Sequence, residues 1–187
     1  MVNAHPHLNS HRNIAVVHNG IFENYAKLRA ELVDDGHVFL SETDTEVAPH
    51  LMDKYIAEGF SSEESFVRML KRVEGQYALA AISEKDERKI FFARKGSPLI
   101  LARGNNEYLI ASDIPAVVPI AHEAIYLEDN QWGYITPQGV KLFSLDGEAV
   151  APNWQPVSVS VEDVDKGEFE YLMLKEIYEQ PDVFERI

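Results

Sequence analysis

Ile14-Ala15-Val16-Val17-His18-Asn19-Gly20 begins with four apolar residues, three of them β-branched, and closes on a polar triplet. Such a run is a short buried strand ended by a turn. Just beyond it, Ile21, Tyr25, Leu28 and Leu32 recur at intervals of four, three and four, which is one face of a helix, and Gly36 stands where that helix stops. His37-Val38-Phe39-Leu40 forms a second short apolar run, a second strand. Thr43 and Glu46 have capping-box spacing, so another helix starts there, with Val47, Leu51 and Tyr55 on its apolar face. Pro49 falls early enough in it to be tolerated. Ser61 and Glu64 make a second capping box before Phe66, Leu70 and Val73. Upstream, residues 1–13 are polar, hold three histidines and form an irregular entry segment.

From residue 76 the period changes from helical to extended. Strands are expected over 77–83, 89–93, 99–103, 108–111, 125–127, 132–136 and 141–145, separated by turn residues such as Gly96-Ser97-Pro98, Gly104-Asn105-Asn106 and Pro137-Gln138-Gly139. Spacing this close implies antiparallel hairpins and meanders. A short helix is expected near Pro115–Val118, no periodicity over 146–168, and a helix interrupted by Pro181 over 170–187. Helices first and strands afterwards indicate an α+β protein with sheet on sheet and helices outside.

The 187 residues suit one domain or two small ones, with 45% apolar and 26% charged residues. A net charge of −14 argues against a nucleic-acid partner and against an anionic membrane surface. No apolar run approaches the ~18 residues of a membrane span, and the composition fits a cytoplasmic protein. There is no cysteine, which excludes disulfides, thiolate metal sites and a cysteine nucleophile within these residues.

Two segments carry candidate chemistry. Asn19-Gly20 is either a plain turn or, where a strand meets a helix, a pair of neutral donors that accept an oxyanion: the Asn19 carboxamide and the Gly20 N–H. Asp44 is either a first-turn helix residue or a carboxylate that anchors an ammonium group. His5, His7, His11 and His18 lack the spacing of a zinc site and are treated as loop residues or as supports behind the reacting groups. Ser97 sits in no nucleophile elbow, and Gly75 and Gly104 are isolated, so no phosphate-cradling loop is present.

Asn3-Ala4-His5-Pro6-His7, Val16-Val17-His18-Asn19-Gly20-Ile21, Ser41-Glu42-Thr43-Asp44-Thr45-Glu46-Val47, Gly96-Ser97-Pro98-Leu99, Ile110-Ala111-Ser112-Asp113 and Lys175-Glu176-Ile177-Tyr178-Glu179-Gln180-Pro181 follow one another in this order. Together they resemble the class II glutaminase domain of the glutamine–fructose-6-phosphate aminotransferase family, over nearly the whole chain. The His-Asn-Gly and Asp-Thr-Glu-Val segments also resemble the glutaminase domains of amidophosphoribosyltransferase and asparagine synthetase. The Lys-Glu-Ile-Tyr-Glu-Gln-Pro segment favours the hexosamine-forming family.

The resemblance implies the N-terminal-nucleophile hydrolase fold, an αββα four-layer sandwich. It implies that Asn19 and Gly20 form the oxyanion hole, that Gly20 and Asp44 bind glutamine, and that His5 and His18 stand behind them. It implies no metal and no cofactor. The family's nucleophilic cysteine and its Arg-Trp-Ala-Thr-His-Gly carboxylate clamp are not among these residues. The chain is therefore expected to be a partial amidotransferase domain, 1–187, with its core over about 1–150 and an acidic segment and helix over 151–187 leading towards sugar isomerase domains. It is expected to be inactive alone, incomplete in fold and open at a sheet edge. The expected partners are glutamine, the missing N-terminal segment and the isomerase domains, in a full-length homo-oligomer. The alternatives are a non-catalytic glutamine-binding module or the glutaminase domain of another amidotransferase.

Overall fold

Period-two alternation carries the first long strand well past its apolar run. Ile14, Val16, His18 and Phe22 are buried, and Ala15, Val17, Asn19 and Ile21 lie on the opposite face. In the computed structural model, which describes residues 2–158, 167 and 169–185, the elements run β1 (His7–Leu8), β2 (Ile14–Phe22), α1 (Tyr25–Asp34), α2 (Val47–Ala57), α3 (Ser62–Arg72), β3 (Gly75–Ser83), β4 (Ile90–Lys95), β5 (Ile100–Arg103), β6 (Tyr108–Ala111), β7 (Glu123–Tyr126), β8 (Gln131–Thr136), β9 (Gly139–Ser144), β10 (Ala149–Val150), β11 (Gln155–Pro156) and α4 (Leu172–Glu185). The acidic stretch 159–166, with residues 168, 186 and 187, lies outside the described residues.

Seven strands form one sheet in the order β1-β2-β3-β4-β8-β9-β10, and four form a second in the order β11-β7-β5-β6. Every pairing is antiparallel. The longest ladder joins β2 to β3 from Ile14↔Ser83 to Phe22↔Gly75. Helices α1–α3 cover one face of the first sheet, where Leu28, Leu51, Met52, Phe66 and Met69 meet Val16, Phe22, Leu79 and Phe91. The other face packs on the second sheet through Ala78, Phe92, Leu101, Ile125, Ile135 and Leu142. A 3₁₀ turn at Ile114–Ala116 and the residues after it cover the outer face of the second sheet with Val117, Val118 and Ala121. The molecule is thus α+β, sheet on sheet with covering layers outside. α3 starts on the expected capping box between Ser61 and Glu64.

Three local expectations fail. Ile21 belongs to β2 and is 66% exposed, so α1 begins only at Tyr25. The β2–β3 ladder continues to Phe22 and its backbone pairing overrides the helical spacing of the side chains. Residues 37–40 form no strand and no helix. Their polar groups go elsewhere: the Val38 N–H donates to Ser10 Oγ, and Phe39 lies under the Arg29 guanidinium at 4.6 Å. Thr43 and Glu46 form no capping box. The Glu46 carboxylate turns back to the Leu40 and Ser41 N–H groups instead, and α2 starts at Val47. Pro49 is accommodated in the first turn of α2.

The expected open edge is present among the described residues. β1 pairs only with Ala15 and Val16, which leaves the rest of that edge of β2 without a strand. β6 is the outermost strand of the second sheet. Beside it the inner face of β2 and β3 is uncovered: Val17 is 43% and Ile82 52% exposed. A cavity of about 790 Å³ runs over Leu8, Ala15, Ile82, Tyr108 and Ile135. An unpaired edge beside apolar surface templates association. The purified 187-residue chain is expected to self-associate in sedimentation velocity as concentration rises, and the double substitution Val17→Lys with Ile82→Lys to restore a monomer. A concentration-independent, protease-resistant monomer from the unsubstituted chain would contradict this.

Candidate functional site

Asn19 and Gly20 lie within β2, opposite Ala78 and Tyr77, rather than in a turn leading to a helix. The open edge of the strand frees the backbone N–H of Gly20 but not that of Asn19, which is on the β3 side. Backbone N–H groups point alternately to the two sides of a strand. The Glu23 N–H reaches Glu74 on the β3 side, whereas the Phe22 N–H points the other way, to Asp44. The Gly20 N–H, two residues before Phe22, therefore faces the open edge as well. Gly20 has φ +142°, and a Cβ there would stand 2.1 Å from the Gln76 carbonyl oxygen and 2.9 Å from His18 Nε2. Only glycine fits that approach.

The Asn19 side chain lies on the face opposite His18. There, with His5, Leu99, Ile110 and Ser112, it lines a cavity of about 310 Å³, which His18 also borders. Gly20 and Asp44 are outside that lining. Asp44 instead stands at the strand edge, where its Oδ2 accepts the Phe22 N–H at 2.7 Å. Its Oδ1 has one weak neighbour, the Thr45 hydroxyl at 3.5 Å. One carboxylate oxygen is thus committed to the backbone and the other remains available to a cation. The Asp44 side chain is 23% exposed, so a charged ligand can reach it.

The histidines support this edge. His18 is buried, stacks on Phe22 with ring centroids 4.3 Å apart, and places Nδ1 3.0 Å from the Thr45 hydroxyl and 4.0 Å from Asp44 Oδ2. Burial pushes its pKa below the ordinary histidine value although Asp44 pulls the other way. It is accordingly neutral at pH 7. His7, also lowered by burial and then by His5, places Nε2 3.2 Å from the Thr43 hydroxyl. His5 packs edge-on against His7, with centroids 4.9 Å apart. Among the described residues no group of three or more His, Cys, Asp or Glu side chains is placed to hold a metal, and no helix is long and apolar enough to cross a membrane.

Sequence reasoning missed the polar frame behind Asp44. Thr43 and Thr45 hold the loop to His7 and His18, and Glu46 closes it. A usable signal was present: six consecutive residues from Ser41 to Glu46 contain no apolar side chain, which does not suit a packed helix turn. Below the loop, His50 is fully buried in α2, its Nδ1 3.2 Å from His37 Nδ1 and its Nε2 3.7 Å from Glu46 Oε1. Burial, reinforced by His37 and opposed by Glu46, lowers its pKa to about 4. Burial works to raise the Glu46 carboxyl, but the donors of Leu40 and Ser41 outweigh it and hold Glu46 below its ordinary value.

The profile of the glutamine amidotransferase domain matches residues 2–119. A relative from Methanothermobacter thermautotrophicus, named glutamine–fructose-6-phosphate aminotransferase (isomerizing), is 42% identical over 179 residues, which cover 96% of this chain and 30% of the relative. One of the same name from Pyrobaculum aerophilum is 46% identical over 183 residues, covering 97% and 30%. The chain spans about 30% of the length of these relatives. Among solved structures, the glutamine phosphoribosylpyrophosphate amidotransferase from B. subtilis superposes with a TM-score of 0.64 at 24% identity, covering 76% of this chain and 32% of that one. A glutamine aminotransferase class-II domain protein from Silicibacter pomeroyi gives 0.55 at 17% identity, covering 76% and 70%. At these identities the structural likenesses establish the fold, which is the N-terminal-nucleophile amidotransferase sandwich.

The buried histidines have a measurable consequence. His50 takes a proton at about 4 when folded and near 6.5 when unfolded. Between those values the unfolded chain binds more protons, so the stability it contributes is full above pH 6.5 and is lost as pH falls. His7 and His18 act with the same sign. The urea midpoint is expected to drop from pH 7.5 to pH 5, and His50→Gln to flatten that slope. An unchanged slope in the variant would contradict the assignment.

Proposed function

The chain belongs to the glutamine amidotransferase domain family, and from that premise we propose that it supplies the glutamine-binding and oxyanion-stabilising part of a glutaminase. In the full-length protein, ammonia cut from the side-chain amide of L-glutamine goes to fructose 6-phosphate, giving glucosamine 6-phosphate. The identities of 42–46% to relatives of that name, across nearly all of this chain, support the acceptor. The observation that carries the site is the hydrogen bond from Phe22 N–H to Asp44 Oδ2, which stations a carboxylate two residues from the outward-facing Gly20 N–H.

Each residue then has one task. Asp44 Oδ1 receives the α-ammonium of glutamine in a charge-assisted bond. The Asn19 carboxamide and the Gly20 N–H receive the oxygen of the side-chain amide as it becomes an oxyanion, each donor worth about 3 kcal/mol in the transition state. The nucleophile is a thiol from outside these 187 residues, which contain no cysteine. Its attack on the amide carbon expels ammonia and leaves a thioester, and water then releases glutamate. His18, neutral and held to Thr45, orients the Asp44 loop and takes no part in proton transfer.

The absence of cysteine favours a second reading as well, in which the chain by itself only binds glutamine. Neither reading gives turnover by the chain alone, and only the second requires saturable binding of millimolar glutamine to it in calorimetry. The purified 187-residue chain is expected to release no ammonia from glutamine, and a measurable rate would contradict the assigned roles. In the full-length protein, Asp44→Asn is expected to raise the KM for glutamine at least about tenfold, the cost of one charge-assisted bond. Asn19→Ala is expected to lower kcat by roughly 10²-fold or more. An unchanged KM in Asp44→Asn would remove the ammonium-binding role.

A further inference from the structure

We infer that Glu46 is a positioning residue for substrate recognition: its carboxylate draws the loop 40–46 closed and thereby sets where Asp44 meets the ammonium group of the substrate. The inference rests on the reading of Asp44 given above. Glu46 is 2% exposed, yet it is ionisable and lies in no ion pair with lysine or arginine among the described residues. Burying a carboxylate is costly unless hydrogen bonds replace its water. Here three donors converge on it. Oε1 accepts the Leu40 N–H at 2.7 Å, and Oε2 accepts the Ser41 N–H at 2.7 Å and the Ser41 hydroxyl at 2.5 Å.

This bond set closes a short ring of chain, because Ser41 and Glu46 bracket Glu42, Thr43, Asp44 and Thr45, and the Glu42 N–H donates to Asn3 Oδ1 at 3.2 Å. Each residue in the ring has a second tie. Thr43 Oγ1 meets Ser41 Oγ at 3.0 Å and His7 Nε2 at 3.2 Å. The Asp44 carbonyl accepts the Val47 N–H at 3.3 Å, and the Thr45 carbonyl accepts the Ala48 N–H at 3.0 Å. Thr45 Oγ1 meets His18 Nδ1 at 3.0 Å. Asp44 projects from the middle of this ring with one oxygen on Phe22 N–H and the other free for a cation. Without the Glu46 carboxylate, two backbone N–H groups and a hydroxyl lose their acceptor, and the loop must shift to find others. A shift of that kind moves Asp44 relative to Asn19 and Gly20, which the β2–β3 ladder holds in place. The outcome is a loss of ammonium recognition beyond any loss of stability.

The test compares two substrates in the full-length protein: L-glutamine and 4-carbamoylbutanoate, which is glutamine without its α-amino group. A positioning role acts only where there is an ammonium to position. Glu46→Gln puts an amide N–H₂ against one of the converging donors, and it is expected to lower the ratio of kcat/KM for glutamine over that for 4-carbamoylbutanoate by about tenfold, the effect of one impaired charge-assisted bond. Ser41→Ala, which removes the hydroxyl donor to Glu46 together with its contacts to Thr43 and leaves the carboxylate in place, is expected to lower the same ratio by about threefold, and it decides the matter where Glu46→Gln does not fold. Equal losses on both substrates in both variants would make Glu46 a purely structural residue and overturn the inference. Asp44→Asn serves as the control. If it lowers the ratio while the Glu46 and Ser41 variants do not, only the inference about Glu46 fails. If it leaves the ratio unchanged, the ammonium-binding reading of Asp44 fails, and the positioning role falls with it.

Discussion

The hydrogen bond from the Phe22 N–H to Asp44 Oδ2 joins two parts of the chain that otherwise meet only through side chains: the end of β2 and the loop in front of α2. It forms only because β2 leaves that edge unpaired beyond Val16. A full-length neighbour strand would take up the Phe22 and Gly20 N–H groups in a ladder. The site therefore depends on β2 being paired along one side only, and the nine-residue ladder with β3 is what makes that arrangement rigid. The side chains of β2 then divide the labour. Ile14, Val16, His18 and Phe22 face the helices, and Asn19 faces the space between the sheets.

Packing explains why the polar frame stays in register. His18 and Phe22 stack beneath the loop, and Phe22 is part of the same buried cluster as Leu51, Met52 and Tyr77. α2, which begins directly after the loop, buries Val47, Ala48, Leu51 and Met52 in that cluster. The loop is thus held at its C-terminal end by the hydrophobic core and at its other end by Glu46. The buried histidines fit this frame because they are neutral: a charged His18 or His50 would be costly in an environment so poor in water.

Much of the strand half of the fold is legible in the residues alone. From β3 to β9, short apolar runs alternate with turns built on Gly, Pro, Asn and Asp, and in these hairpins the local signal and the final pairing agree. The first half misleads where tertiary contacts outweigh spacing. Ile21 has helical spacing with Tyr25 and Leu28 but sits in a strand, because β3 continues the ladder to Phe22. His37–Leu40 has the composition of a strand but no partner, because Ser10 and Glu46 take its backbone groups. Glu46 has the spacing of a cap but reaches back to Leu40 and Ser41, a choice that depends on the fold of the whole loop. Asn19, Gly20 and Asp44 are visible in the sequence as polar groups beside apolar runs. The placement of Gly20 and Asp44 at one strand edge, with the Asn19 side chain on the adjoining face, is a property of the sheet and is not readable from local pattern.

The most direct test of this account is a crystal structure of the full-length protein with L-glutamine or L-glutamate bound. The α-ammonium is expected within about 3 Å of Asp44 Oδ1, with Oδ2 still on the Phe22 N–H and the side-chain oxygen of the ligand turned to Asn19 and the Gly20 N–H. A ligand held elsewhere, or one whose ammonium contacts other residues while Asp44 keeps only its backbone bond, would contradict it.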